Sequence, residues 1–264
     1  MRVDPFAVLL AGVFGLLLGS FLNVCIYRLP RDLSVVMPRS FCPECGAAIS
    51  WYDNVPLLSY LALRGHCRGC RKPIGARYFV VELTTTVLFA ITVAEYGATL
   101  SAVKWMIFDA FMIILFWTDL EERLLPDEIT IGGAVLGLAF STFVGLRSAI
   151  GDLLFSNLGW REQSALNAVL GALVFTIPIW VVAHLWARFR KREVLGFGDV
   201  KLLILMGVFL GLDNDLLACL IGSIAGSVLG IAYIVWKRKG WSYELPFGSF
   251  LCFGAVLAPL ISRR

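Results

Sequence analysis

Two aspartates in this chain stand where a carboxylate is costly. Asp119 lies in Thr118-Asp119-Leu120, directly after the apolar run Leu115-Phe116-Trp117. Asp199 lies in Gly196-Phe197-Gly198-Asp199-Val200-Lys201, at the start of another apolar segment. Ionisable groups at membrane boundaries are expensive to keep and are usually functional. A pair of carboxylates is also the smallest set that hydrolyses an amide without a metal. One takes a proton from water while the other, protonated, polarises the scissile carbonyl. Brought together over a water, the two do not both ionise easily, so the pair is expected to titrate as a unit. Which aspartate plays which part is not legible in the sequence.

A second group is metal-binding in type. Cys42-Pro43-Glu44-Cys45 is followed, after 21 residues, by Cys67-Arg68-Gly69-Cys70. Two C-x-x-C knuckles supply four thiolates for a tetrahedral, structural zinc site, with Cys42, Cys45, Cys67 and Cys70 as ligands. Gly46 and Gly69 are expected to take the tight turns of the knuckles. A closed tetrathiolate site leaves the metal no open position, so this zinc is not the hydrolytic catalyst. Paired disulfides are the competing reading, and a cytosolic location argues against them. His66 reads as a bystander. Cys25, Cys219 and Cys252 fall within apolar segments and read as small packing residues.

The elements that position these groups follow from composition. The 264 residues are 59% hydrophobic and 16% charged, with a mean hydropathy of +0.81. Such a chain is an all-α polytopic membrane protein rather than a soluble domain, and the lipid bilayer is its first partner. We read about eight transmembrane helices, over 6–27, 78–96, 103–118, 127–146, 165–187, 197–212, 215–236 and 246–261. The loop over 28–77 carries eight Lys/Arg, and 188–193 and 237–239 are also basic, whereas the alternate loops are not. By the positive-inside rule the N-terminus is outside and the basic loops are cytosolic. Both aspartates then end on the cytosolic face. The first span is too long for a signal peptide and shows no cleavage site, so it reads as retained. Three parts result: a first transmembrane helix over 1–29, a small cytosolic tetracysteine zinc-binding loop domain over 30–77, and a seven-helix membrane core over 78–264.

Asp199 has a plainer reading as a carboxylate at a helix start. That reading also covers Asp127 and Glu128, which follow Pro126 where a helix dipole favours anions. Asp199 is set apart by Gly196 and Gly198, which let extended backbone approach its carboxylate. Lys201 either lines the same polar mouth or snorkels to the interface. Gly15-x-x-x-Gly19 and the series Gly222, Gly226, Gly230 have the spacing of close helix packing.

Together these residues resemble the type IV prepilin peptidases, bifunctional leader peptidases and N-methyltransferases of bacterial pilus and type II secretion systems. The likeness runs nearly end to end. It is carried by Gly19-Ser20-Phe21-Leu22-Asn23-Val24 with Arg28 and Pro30, and by the C-x-x-C pair around Trp51 to Tyr60. It continues through D-x₆-P-D from Asp119 to Asp127, the G-x-G-D of Gly196 to Asp199, and Pro246-Phe247-Gly248. The resemblance implies that Asp119 and Asp199 are the catalytic pair of a peptidase in the bacterial cytoplasmic (inner) membrane. Its substrates would be prepilin or pseudopilin precursors, cut after a Gly at the cytosolic membrane face. The new amino terminus would then be methylated with S-adenosylmethionine as donor. Glu121 and Glu122 read as solvated loop charges, with a hold on the basic leader as the alternative. No residue reads as a donor site from first principles, since no Gly-rich nucleotide turn is present. Methyl transfer is implied by the resemblance alone, and by the intact tetracysteine loop that peptidase-only relatives often lack.

Other classes remain to be separated. A proton- or cation-coupled transporter would use Asp119 and Asp199 as relays, with carboxylates near mid-span and repeated halves. A noncatalytic zinc-loop scaffold would tolerate Asp199→Asn. A presenilin-like protease shares G-x-G-D but needs a late Pro-Ala-Leu, where this chain has Ala258-Pro259-Leu260. Nothing points to nucleic acid.

Overall fold

Apolar runs broken by Pro, Gly and short charged loops dictate a chain of helices. A computed structural model of the protein describes residues 4–190, 196–237 and 245–262. The helices are α1 (Pro5–Arg28), α2 (Leu58–Ala62), α3 (Arg77–Tyr96), α4 (Leu100–Glu122) and α5 (Asp127–Ser141). They continue with α6 (Ala149–Leu154), α7 (Trp160–Val174), α8 (Thr176–Arg190), α9 (Phe197–Lys237) and α10 (Phe247–Ile261). Among the described residues there is no named strand, only isolated bridges. The protein is a multi-pass, all-α membrane protein.

Helix falls on every one of the expected spans. Five helical stretches are by themselves long and apolar enough to cross a membrane: 5–31, 77–96, 100–122, 160–189 and 197–237. Two expected spans, 197–212 and 215–236, are the halves of α9. They join at Gly211, whose φ of 71° an L side chain adopts only with strain. Of the basic residues that orient the chain, Lys191, Arg192, Arg238 and Lys239 lie outside the described residues.

The chain divides into two compact units, 1–114 and 115–264. In the first, α1 starts at Asp4, whose carboxylate caps Phe6 N–H at 3.0 Å, with Pro5 in the first turn. α1 packs along α3 through the predicted Gly15/Gly19 face. A Cβ on Gly15 would stand 2.7 Å from Thr85 O, and one on Gly19 2.8 Å from the Cα of Glu82. Between these helices comes the segment bearing the four cysteines.

In the second unit α9 is the centre, packed against α5, α7 and α10. Gly207 and Gly171 abut backbone to backbone, leaving no room for a Cβ on either. Gly222 lies against Phe250 O and Gly226 against the Phe250 ring, so the predicted small-residue face joins α9 to α10. Leu202, Leu203, Leu205, Met206, Phe209 and Leu210 are buried over consecutive turns of α9. The first half of α9, buried nearly all round in this way, is a rigid axis for what its first turn carries.

Candidate active site

Asp119 is in the last turn of α4, and Asp199 in the first turn of α9. The third element is the start of α10, which turns in behind Pro246. Gly248 is the point where they meet. A Cβ built there would fall 3.1 Å from Asp119 Cγ, 3.2 Å from Asp119 Oδ2 and 3.3 Å from Asp199 Oδ1. The two carboxylates therefore approach one position, and these two oxygens are separated by at most about twice a van der Waals contact. Only a glycine leaves that space open.

Ser249 fixes one side of the pair. Its backbone N–H donates to Asp119 Oδ2 at 2.6 Å, and its Oγ lies 2.8 Å from the same oxygen. The Oγ is also 2.9 Å from Phe116 O, one turn earlier in α4. Both Asp119 and Ser249 are buried, whereas Asp199 is half-buried. Ser249 escaped the sequence reading: nothing distinguishes a serine after Pro-Phe-Gly until the fold brings it to Asp119.

The flanking residues take roles the sequence left open. Gly198 packs against Leu125, where a Cβ would come within 3.3 Å of the Leu125 Cβ. Asp199 N–H donates to Gly196 O at 3.1 Å. Lys201 Nζ meets Asp127 Oδ1 at 2.6 Å and sits 4.7 Å from the Phe197 ring centroid. Lys201 is thus held at the mouth by the acid that opens α5, tying α9 to α5. Glu121 and Glu122 are exposed at the end of α4. Neither aspartate is near mid-span, as a transport relay would require.

In the first unit, the four-cysteine segment forms two matching knuckles. Cys42 N–H donates to Ala47 O at 2.9 Å and Cys67 N–H to Lys72 O at 2.9 Å. Gly46 N–H returns to Cys42 O and Arg71 N–H to Cys67 O. The left-handed residue is Gly46 in the first knuckle, as expected, with φ 68°. In the second it is Arg71, with φ 59°, rather than Gly69. Gly69 is instead close to Cys45 and Cys67 Sγ, each 3.9 Å from a Cβ placed there.

The four Sγ atoms of Cys42, Cys45, Cys67 and Cys70 all lie within 4.8 Å of one another. Four unpaired sulfurs so converged are the donor set of a tetrathiolate zinc site. N–H groups of Cys70 and Gly69 pull the Cys67 thiol down to about 7, while Cys70 beside it is pushed up to about 11, so the sulfurs share their protons unevenly. His66 stays outside, its Nδ1 2.7 Å from Arg64 O. Arg68 grips Asp53 with two contacts of 2.7 Å, and Lys72 pairs with Glu44.

A carboxylate pair at the ends of two helices, closed by Gly248 and Ser249 at the start of a third, is joined by similarity to known proteins. Residues 106–231 match the type IV leader peptidase family, and residues 13–96 the bacterial peptidase A24 N-terminal domain. A "Prepilin leader peptidase/N-methyltransferase" of Aeromonas hydrophila is 34% identical, over 94% of this chain and 88% of its own. The chain belongs to the type IV leader peptidase family. Relatives with the same description include one from Legionella pneumophila, 32% identical over 96% of this chain and 91% of its own. Another, from Myxococcus xanthus, is 40% identical over 87% of this chain, which spans 64% of that relative's length. No solved structure matches the chain. Membership in this family makes the protein a peptidase with methyltransferase activity and gives no support to a transporter.

Proposed function

We propose that the protein is a membrane aspartic endopeptidase that removes the leader of type IV prepilins or pseudopilins after a Gly, and then N-methylates the new amino terminus. The carrying observation is the approach of both Asp119 Oδ2 and Asp199 Oδ1 to the one position at Gly248. A water held between the carboxylates loses a proton to one of them as its oxygen attacks the scissile carbonyl. The other, protonated, hydrogen-bonds the carbonyl oxygen and stabilises the negative charge that develops there. Collapse of the tetrahedral intermediate breaks the C–N bond, and the leaving amine takes up the proton first removed from water.

We assign Asp119 as the base. Its Oδ2 accepts from the Ser249 N–H, a bond that strengthens as negative charge gathers on that oxygen. The fixed Ser249 N–H favours charge on this oxygen, and in this assignment the proton of the pair belongs to Asp199.

The cytosolic face of the bacterial inner membrane is the working location, with the N-terminus outside, as the alternation of basic loops requires. Exposed Glu121 and Glu122 at the end of α4 receive the basic leader. Cys42, Cys45, Cys67 and Cys70 hold a structural zinc, which gives the small segment over 30–77 the folding energy it lacks a core to supply. Bound S-adenosylmethionine would supply an electrophilic methyl group to the freed amine. Incubation of the purified protein with a prepilin-type peptide and S-adenosylmethionine tests the whole sequence: leader loss precedes addition of one methyl group.

A further inference from the structure

The segment over 30–77 is tied to the membrane at both ends, by the end of α1 at Arg28 and the start of α3 at Arg77. Between those ends it folds back toward the helices. Leu57 N–H donates to the Glu82 carboxylate at 2.7 Å, and the Tyr60 ring centroid lies 5.5 Å from that of Phe79. Glu82 stands five residues past Arg77, about 7 Å along α3, and opposite Gly19 of α1. The start of α2 is thereby held beside the first turns of α3 rather than above them. Leu57 takes a φ of 57°, which a bulky side chain adopts with strain. The Glu82 contact holds that turn and, with it, the direction of α2.

The face left outward is apolar. Trp51 is 78% exposed, Leu58 66% and Leu61 60%, and Tyr52 is exposed beside them. Leu58 and Leu61, three apart, share one side of α2. Ser59 Oγ accepts from Val55 N–H at 3.1 Å and donates to Tyr52 O at 3.0 Å, so the short 3-10 turn Trp51–Asn54 is stapled to α2 and the rings join the leucines in one patch. The Trp51 and Tyr52 rings meet edge to face at 5.7 Å. A contiguous apolar patch of this kind marks an interaction surface. Exposed apolar side chains continue at Val80 and Leu83 of α3, within a stretch that crosses the membrane. On the same segment Arg39, Arg64 and Arg71 are exposed and make no ion pair among the described residues, and Arg64 lies two positions after α2.

Trp and Tyr rings belong at the headgroup level of a bilayer, leucines reach its acyl chains, and arginines meet anionic lipid. We propose that the face made by Trp51, Tyr52, Leu58 and Leu61 is seated in the adjoining leaflet of the protein's own membrane, with anionic headgroups against Arg39, Arg64 and Arg71. Lipid is favoured over a protein partner because the segment is anchored in the membrane at both ends and because its patch continues into the lipid-facing side of α3. The Glu82 contact sets the height: interfacial helices bury their apolar face roughly 5–10 Å into the headgroup and acyl boundary, and α2 lies beside the first turns of α3. The four-cysteine segment is then carried at the bilayer surface rather than free in solution, and lipid joins zinc in fixing its position. This seat requires neither peptide cleavage nor methyl transfer.

The test uses the full-length, zinc-loaded protein carrying fluorotryptophan, one copy per lipid nanodisc. The fluorine resonance of Trp51 is assigned by its loss in Trp51→Phe. Spin labels are then supplied in turn on a lipid headgroup, on an acyl chain and on a water-soluble chelate. The Trp51 line is expected to broaden with both lipid-borne labels and to be shielded from the soluble one. Broadening should be at least about two-fold stronger in discs containing phosphatidylglycerol than in phosphatidylcholine discs at low salt. Leu58→Ser/Leu61→Ser, at equal zinc content, should open Trp51 to the soluble label. Broadening of wild type by the soluble label alone would overturn the seat. Shielding from all three labels would assign the face to protein, and shielding that appears only on adding a prepilin-type peptide would assign it to substrate; either result overturns it. Equal broadening in the two lipid compositions would remove the arginines from the seat, and a folded double variant that keeps its shielding would remove the leucines.

Discussion

Ser249 places its backbone N–H 2.6 Å from Asp119 Oδ2 across 130 positions of sequence, and its hydroxyl ties the same carboxylate to the last turns of α4. The start of α10 thereby acts as a clamp on one half of a carboxylate pair. Ser249→Ala keeps the N–H and removes the hydroxyl. Turnover is expected to fall about ten-fold with KM little changed, because one hydrogen bond to a charged group contributes on the order of 1.5–3 kcal/mol. Steady-state cleavage of a prepilin-type peptide checks it; a KM effect with unchanged turnover would assign Ser249 to substrate binding instead.

Gly248→Ala puts a methyl group at 3.1–3.3 Å from atoms of both aspartates. The carboxylates must separate and the position for water is filled. Cleavage is expected to drop by about 10²-fold or more, the loss that follows from misplacing reacting groups by around an ångström. Unfolding temperature should move little, since α10 keeps its packing on α9. Comparing the two quantities separates a site effect from a folding defect.

Removing zinc should divide the two reactions. A chelator, or Cys67→Ser, takes away the folding energy of the knuckles while the second unit keeps its own packing. Methylation is expected to disappear and cleavage to persist. Equal loss of both reactions would show that the peptidase needs the knuckles too.

The second knuckle is anchored by Arg68 on Asp53, and the guanidinium contact holds the Asp53 carboxyl below its usual range. A lowered carboxyl favours the folded loop at every pH above its unfolded value and loses that effect only as pH falls through the lowered one. The pair should therefore survive mild acid and fail below the ordinary carboxylate range. Asp53→Asn should make zinc retention in that acid range independent of this step. Both groups reach solvent, so the effect is small. Zinc release followed against pH in the two proteins measures it.

Exposed acids at the end of α4 give a substrate-side test. A Glu121→Gln/Glu122→Gln variant should raise KM for peptides with a basic leader and leave turnover near wild type, more so at low salt. Unchanged processing would dismiss these residues as leader contacts.

Much of this was legible because the signals were chemical and local. A C-x-x-C pair at that spacing has few other uses, and the knuckles formed around Cys42 and Cys67 as the spacing implied. Asp119 and Asp199 stood out because apolar flanks make a carboxylate expensive. What the sequence hid depends on contacts between distant segments. Ser249 is chemically ordinary until α10 packs on α9 and brings it to Asp119. Lys201 had two readings until Asp127, at the head of α5, claimed it. Asn23 read as part of a first-span motif, and only the α1–α3 packing strands its Oδ1. The turn assigned to Gly69 went to Arg71, because the position after the second cysteine of each knuckle takes the left-handed conformation whichever residue occupies it.

The central claim is that Asp119 and Asp199 act as one catalytic pair. The most direct test is leader cleavage of a prepilin-type peptide by purified wild type, Asp119→Asn and Asp199→Asn, read by mass in the presence of labelled S-adenosylmethionine. Wild type should lose the leader and then gain one methyl group. Each variant should retain its fold and zinc while losing cleavage by about 10²–10⁴-fold, the contribution of a positioned acid or base. Cleavage that survives in either folded variant would contradict the account.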